Sequence, residues 1–287
     1  MKVTWVIERW IFDNSDNYQS ELDFITEVKK QGHLVEVIDS STGYDWRDRL
    51  YQLVNKNPYL EHNIGPVVFR GSLNVAREIH RSTSWIPGVY LGQANDGRLT
   101  NFNCFTYTTY WGDYLLNCNY LMLPLQEFHR RKKDKGSKGK WFIRPDSGMK
   151  PFAGQVVDLS DLSILEGLHP ETLILSAYVK QVDKEWRFVV CDRNVITGCQ
   201  YMQEGKYTNQ SNPEELARVQ EWLSKVLTKV SWQPDLIYTI DVCESKEELF
   251  VLELNSFSCS NFYNCDLSKM VEAANRVAIS DWKEAYE

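Results

Sequence analysis

Long apolar runs are missing, and no stretch approaches the roughly 18 residues that a membrane-spanning helix needs. The opening Met-Lys-Val-Thr-Trp-Val-Ile-Glu-Arg meets charge too early for the apolar stretch of a secretory signal. The expected location is the cytoplasm, a host's cytoplasm if the source is viral, with no membrane partner. Proline and glycine are sparse, at 9 and 15, and no low-complexity tract occurs, which excludes collagen-like and disordered classes. There is no C-x-x-C pair among Cys104, Cys118, Cys191, Cys199, Cys243, Cys259 and Cys265, an odd set that fits neither a disulfide framework nor a zinc module. The five histidines have no metal-ligand spacing. A surplus of basic charge is lacking as well: the net charge of -7 disfavours nucleic-acid binding by the body of the protein.

What is present is enough apolar residue, 43%, to fill a core in a chain of 287 residues, a length that suits one large domain or two. The first hundred residues alternate as an open α/β layer. Val3 to Ile7 and Leu34 to Ile38 read as strands around a helix carrying Leu22, Ile25 and Val28, with Gly32 placed to end that helix. Val67 to Phe69 reads as a third strand, Ser72 as the cap of a helix through His80, and Val89 to Leu91 as a fourth strand. The turn after Ile7 is Glu8-Arg9-Trp10, without the glycines a dinucleotide phosphate needs. From about residue 101 to 287 the pattern becomes α+β. Short strands at Trp141 to Arg144, Gln155 to Asp158, Leu173 to Val179, Trp186 to Cys191, Val195 to Tyr201, Leu236 to Cys243 and Leu249 to Asn255 suggest antiparallel pairing, with Arg193-Asn194 at one hairpin tip. Asn212 and Pro213 open a clear helix, and a last one runs from Leu267 to Trp282.

Three patterns carry chemistry. Folding Leu236 to Cys243 against Leu249 to Asn255 sets Asp241 opposite or diagonal to Glu253. Glu253 and Asn255 then share a face, with Phe250, Leu252 and Leu254 on the other. Two carboxylates about 4 to 5 Å apart repel by roughly 3 to 4 kcal/mol at an effective dielectric near 20. Such a site needs a cation or a shared proton, and its all-oxygen donors suit Mg²⁺ or Mn²⁺; the other reading is a solvated hairpin whose acids never meet. Next, the strand ending at Arg144 enters a loop holding Gly148, Lys150 and Gly154, where backbone N-H groups and two cations suit phosphate. The spacing is not that of a Walker loop, and an ordinary turn with exposed cations is the alternative. Finally, Glu185 and Arg187 share one strand face, as a structural ion pair or a phosphate clamp.

In this order, Arg-Pro with a glycine-bearing loop, an apolar strand, Glu-x-Arg, then Asp followed by Glu-x-Asn, the sequence resembles the ATP-grasp superfamily. Glu185-Trp186-Arg187-Phe188-Val189, Gly198-Cys199-Gln200-Tyr201 and Glu253-Leu254-Asn255-Ser256-Phe257-Ser258 are similar to motifs of its divergent clade. That clade includes phage and bacterial proteins and the eukaryotic cell-division-cycle protein that assembles an initiation factor. The resemblance covers roughly residues 100 to 265. It implies an ATP-grasp fold with a pre-ATP-grasp layer (1–100) and an ATP-grasp domain (101–287) that holds the nucleotide between two antiparallel sheets.

It further implies Mg²⁺ on Asp241, Glu253 and Asn255, with phosphate contacts from Arg144 and Lys150. Arg187 would face the γ-phosphate or an acyl-phosphate, beside Glu185. Adenine would lie against a hinge strand with Ser176, Tyr178, Val179 and neighbouring Lys180. Thr109-Tyr110-Trp111-Gly112-Asp113 lacks the early lysine of most members, and the hinge offers Ser176 for the usual Glu. The implied activity is ATP-dependent joining of a carboxylate to an amine; a factor that binds ATP and a partner protein without turnover is the alternative. Two weaker features remain: Arg70-Gly71-Ser72 as an anion site for a substrate carboxylate, and the basic run from Arg130 to Lys140 as a loop covering ATP or receiving an anionic macromolecule.

Overall fold

Strand β1 (Thr4–Arg9) is buried on both faces, which places it inside a sheet rather than at an edge. Val3, Trp5 and Ile7 enter one core while Val6 enters another. Its parallel neighbours are β2 (Leu34–Asp39) and β3 (Val67–Arg70), and the two-residue β4 (Pro87–Gly88) completes the order β2-β1-β3-β4. The computed structural model describes residues 1–9, 21–39, 46–56, 64–135, 139–158 and 160–286. Helix α1 (Glu21–Lys30) ends ahead of Gly32, whose φ of +83° is the left-handed stop expected of it. Helix α2 (Trp46–Lys56) follows β2, and α3 (Leu73–Ser82) is capped by Ser72, whose Oγ accepts from Val75 N. The fourth strand expected at Val89 to Leu91 lies instead at Pro87–Gly88; Tyr90 and Leu91 fill cores from the irregular chain beyond it.

Two antiparallel sheets form the rest. The smaller has the order β5-β8-β6-β7, from β5 (Leu121–Pro124), β6 (Lys140–Pro145), β7 (Gln155–Asp158) and β8 (Leu173–Tyr178). The larger has the order β11-β10-β9-β12-β13, from β9 (Lys184–Cys191), β10 (Asn194–Gln203), β11 (Lys206–Tyr207), β12 (Ile237–Ser245) and β13 (Glu248–Ser256). The β9–β10 turn centres on Asp192-Arg193, with φ of +47° and +64°, one residue before the expected tip; Asn194 already pairs with Cys191. Helix α4 (Cys104–Trp111) packs in a core shared by both sheets and α5 (Leu125–Lys135) lies on the smaller one, while α6 (Pro213–Lys229), capped by Asn212, and α7 (Leu267–Tyr286) pack on the larger one. None of the described helices is long and apolar enough to cross a membrane.

Period-two alternation along β9 gives the larger sheet two distinct faces. Trp186, Phe188 and Val190 enter the core shared with α4 and α6. Val189 and Cys191 enter the core shared with β1, α1 and α7, and Glu185 and Arg187 continue that face as its polar end. The β12–β13 pairing contains a bulge: Asp241 faces Glu253 but Val242 faces Val251, leaving Leu252 without a partner. The bulge shifts the phase of β13. Leu249, Val251 and Leu254 therefore share the apolar core, which corrects the expected grouping of Phe250, Leu252 and Leu254.

The bulge yields a direct test. Deleting Leu252 would remove only the extra residue, leaving Glu253 and Asn255 on one face and Leu249, Val251 and Leu254 on the other, and should cost about 2 kcal/mol or less. Deleting Leu254, in the regularly paired part of the strand, removes a core side chain and turns either Glu253 or Asn255 toward the core, and should cost at least about 3 kcal/mol. Urea denaturation separates them, and equal midpoints for the two variants would remove the phase argument.

Candidate functional site

Strand register sets four residues in one row across the larger sheet. Cys199 on β10 pairs with Arg187 on β9, Arg187 with Asp241 on β12, and Asp241 with Glu253 on β13. Asn255 lies two residues further along β13, on the face of Glu253. Arg187 clasps Asp241 in a bidentate fork, Nε to Oδ1 at 2.7 Å and Nη2 to Oδ2 at 2.6 Å, and its Nη1 donates to the carbonyl of Asn261 at 2.7 Å. The pair is deep, with side chains 8% and 1% exposed. Burial works against the Arg187 charge, but Asp241 more than reverses this and holds the guanidinium well above its ordinary value. The carboxylate that holds Arg187 is thus Asp241 on the neighbouring strand. Glu185 instead accepts from the Tyr201 hydroxyl at 2.5 Å, and burial pushes its carboxyl upward.

The loop between β6 and β7 brings the other cations. Gly148 packs so closely on Phe102 that an added Cβ would lie 2.9 Å from the Phe102 Cβ, and its N-H donates to Asn103 Oδ1. The N-H groups of Met149 and Lys150 bond to Ser147, so these loop amides are already engaged and the loop presents the Lys150 side chain instead. Lys150 Nζ lies 2.5 Å from Asn255 Oδ1 and 3.2 and 3.3 Å from the two Glu253 oxygens. Arg144 Nη2 reaches Glu253 at 3.1 Å, while Arg144 Nε is buried without a hydrogen-bond partner. Burial alone would raise the Glu253 carboxyl; Lys150, Arg144 and Arg187 overcome it and hold the group far below the usual carboxylate range. Asp241 and Glu253 are directly opposed in the sheet register, and each is answered by cations of the chain itself. Beside them lies a cavity of about 90 Å³, lined in part by Lys150, Arg187, Asn255, Phe102 and Ser256.

Other expected site residues have their contacts elsewhere. Ser176 is buried in β8, the Tyr178 ring stacks on Trp141 at 4.9 Å, Val179 is exposed, and Lys180 Nζ donates to the Leu116 carbonyl. Arg70 is turned inward: it pairs with Glu21 at 3.0 Å and packs over Phe24 and Phe262. Glu8 already caps the start of α3, accepting from Ser72 N and Oγ, so the anion site expected at Arg70-Gly71-Ser72 is filled by an internal carboxylate. The basic run is largely helical rather than a loop, since α5 extends to Lys135. Arg130 pairs with Glu127, Lys140 opens β6, and the side chains of residues 131–138 lie outside the described residues.

Sequence reasoning assigned no role to Asn261, Tyr201 or Tyr263. Tyr201 had the nearest signal, closing the Gly198-Cys199-Gln200-Tyr201 motif; it is the unpaired residue of a second bulge, between Gln200 and Met202. Tyr263 lies in irregular chain after β13, where no periodicity marks it.

The buried pair predicts a stability pattern opposite to that of a repulsive acid cluster. Asp241→Asn leaves Arg187 charged and underpaired, and should cost about 3 to 5 kcal/mol. Arg187→Met combined with Asp241→Leu, which removes both charges, should recover most of that loss in urea denaturation. A double variant as unstable as the single one would show that packing, not the ion pair, sets the cost.

Residues 124–273, just over half of the chain, match the family described as ATP-grasp domain, R2K clade family 2. No curated protein matches the sequence. Among solved structures, D-cycloserine synthetase is similar at a TM-score of 0.56 and 12% identity, over 96% of this chain and 99% of that one. D-alanine–D-alanine ligase from Bacillus anthracis complexed with ATP is similar at 0.54 and 10%, over 99% of both chains. Phosphoribosylamine–glycine ligase from Thermotoga maritima gives 0.53 and 13%, over 90% of this chain and 69% of that one. These likenesses agree with the two antiparallel sheets and the open α/β layer in showing the ATP-grasp fold, and the chain belongs to the R2K clade of the ATP-grasp superfamily.

Proposed function

We propose that the protein is an ATP-dependent carboxylate–amine ligase, with residues 1–100 as the pre-ATP-grasp layer and 101–287 as the domain that holds the nucleotide. A substrate carboxylate oxygen attacks the γ-phosphorus and ADP leaves with the electron pair of the broken bond. An amine nitrogen then attacks the acyl carbon of the acyl-phosphate; phosphate departs, the amine gives up a proton, and an amide remains. Three cations, Arg144, Lys150 and Arg187, meet two carboxylates, Asp241 and Glu253, at one end of a sheet face. The observation that carries the reading is the Arg144 Nε, a buried donor without a partner in that cluster, suited to a phosphate oxygen. Preorganised donors of this kind stabilise the charge that moves during phosphoryl transfer. The ligases among the similar structures agree with this reaction class.

The residues also fit a hard divalent cation. Among the described residues no group of three or more His, Cys, Asp or Glu could hold a metal alone. The Lys150 ammonium, however, is held by three oxygens of Glu253 and Asn255, a positive charge in an all-oxygen setting. Glu253 and Asn255 would hold Mg²⁺ or Mn²⁺, with Asp241 sharing its carboxylate between the metal and Arg187. Bound there, the ion would neutralise phosphate charge.

Three outcomes are expected. Glu253→Gln should weaken Mg-AMP-PNP binding at least about tenfold, or ~1.4 kcal/mol, in calorimetry; ADP and phosphate should appear only when a carboxylate and an amine are both supplied. Unchanged affinity takes Glu253 out of the site, and nucleotide binding without product across a panel of acids and amines favours an assembly factor that clamps ATP for a partner protein. Lys150→Met should have effects of opposite sign: Mn²⁺ alone, followed by electron paramagnetic resonance, binds about fivefold more tightly because a competing charge is gone, while Mg-AMP-PNP binds more weakly. Effects of the same sign would break the assignment of Lys150 to both metal and phosphate.

A further inference from the structure

The Arg187 guanidinium has five N-H donors, of which three are fixed: two on Asp241 and one on the Asn261 carbonyl. The other two belong to Nη1 and Nη2, and Arg187 lines the cavity shared with Lys150 and Asn255. A fork to one carboxylate fixes the guanidinium along its own edge but leaves tilt about that edge to whatever covers its face. That cover is aromatic: the Arg187 Cζ lies 4.9 Å from the Tyr263 ring centre and 5.6 Å from that of Tyr201. The two rings lie parallel, with centres 4.3 Å apart and planes 2° from each other, and the Tyr201 hydroxyl is tied to Glu185. Tyr263 is anchored from behind, its N-H donating to Asn261 Oδ1 at 2.9 Å, so one residue holds both the arginine and the ring over it. Its φ of +49° is left-handed, a conformation that a bulky residue rarely adopts and that surrounding contacts must impose.

We propose that Tyr263 is a positioning residue: its ring sets the tilt of Arg187 so that the two remaining N-H donors meet the terminal phosphoryl group of a nucleoside triphosphate. The proposal rests on the ligase reading, in which Arg187 serves that group. Tyr201, held by Glu185, flanks both the Tyr263 ring and the arginine.

The readout is the gain in affinity that the terminal phosphate supplies, the ratio of the Kd of Mg-ADP to that of Mg-AMP-PNP, by calorimetry on the full chain. Tyr263→Gly removes the ring at a position where glycine is the residue best suited to the backbone, so the fold is retained. Wild type should show a ratio of about ten or more, Arg187→Met a ratio near one, and Tyr263→Gly a ratio at least about fivefold below wild type with Mg-ADP affinity within about twofold. Tyr263→Phe, which keeps the ring, should restore the wild-type ratio. Tyr263→Gly that weakens both nucleotides equally, or neither, overturns the proposal while leaving the ligase reading in place. Loss of the ratio in Tyr263→Phe as well would overturn it in favour of the hydroxyl. A wild-type ratio near one, or an undiminished ratio in Arg187→Met, overturns the role of Arg187 and the proposal together.

Discussion

The ion pair between Arg187 and Asp241 is the constraint on which the site rests. Taking both charges out of water costs several kcal/mol each, and attraction repays that only with good geometry and further hydrogen bonds. This pair has both: a two-point fork, the Asn261 carbonyl and the aromatic cover of Tyr263. Its position at directly opposed residues also guards the register of β9 against β12. A slip of one residue in β9 would turn Arg187 into the apolar core and Phe188 out of it, and would set Asp241 against Trp186 or Phe188. The row that ends in Glu253 is therefore specified by electrostatics as much as by the hydrophobic pattern.

Much of this was legible in the sequence because it rests on period two. Glu185, Arg187, Asp241, Glu253 and Asn255 lie on apolar strands whose alternation gives each its face, and the short β12–β13 connection sets the pairing. The convergence of Arg144 and Lys150 on Glu253 crosses from one sheet to another, 103 residues apart for Lys150 and Glu253, and no local spacing encodes it. The bulge at Leu252 was hidden because a single extra residue changes the phase without changing composition. Helix α4 read poorly since Cys104–Trp111 is aromatic and β-branched, a composition that favours strands as much as helices. The cluster around Tyr263 depends on irregular chain, where only three-dimensional packing decides which side chain meets which.

Lys150 gives the polar end of the sheet a balance of charge that a bare cluster of acids lacks. Where acids crowd without internal counter-charges, folding and metal binding become one event. Here Glu253 is neutralised by Lys150 and Arg144, and Asp241 by Arg187, all from within the chain. The fold therefore does not wait for an ion. Under the proposed function an incoming metal would displace or share an existing positive charge, so a triphosphate that drew Lys150 and Arg144 toward itself and a metal that took their place at Glu253 would assist each other.

The core joining β1 to α7 bears on how the chain is made. Trp5 Nε1 donates to Asn275 Oδ1 at 2.8 Å, across 270 residues of sequence, and Val3, Trp5 and Ile7 share their core with Met270, Ala274 and Val277. During synthesis β1 emerges long before the helix that covers it, leaving Trp5 and its neighbours to remain exposed or find transient partners while the residues between Trp5 and Asn275 are translated. Such long-range contacts slow folding and lengthen the exposure of aggregation-prone surface. β1 and α7 thus fasten late, and the face bearing Arg187 is completed only when that helix closes over that strand.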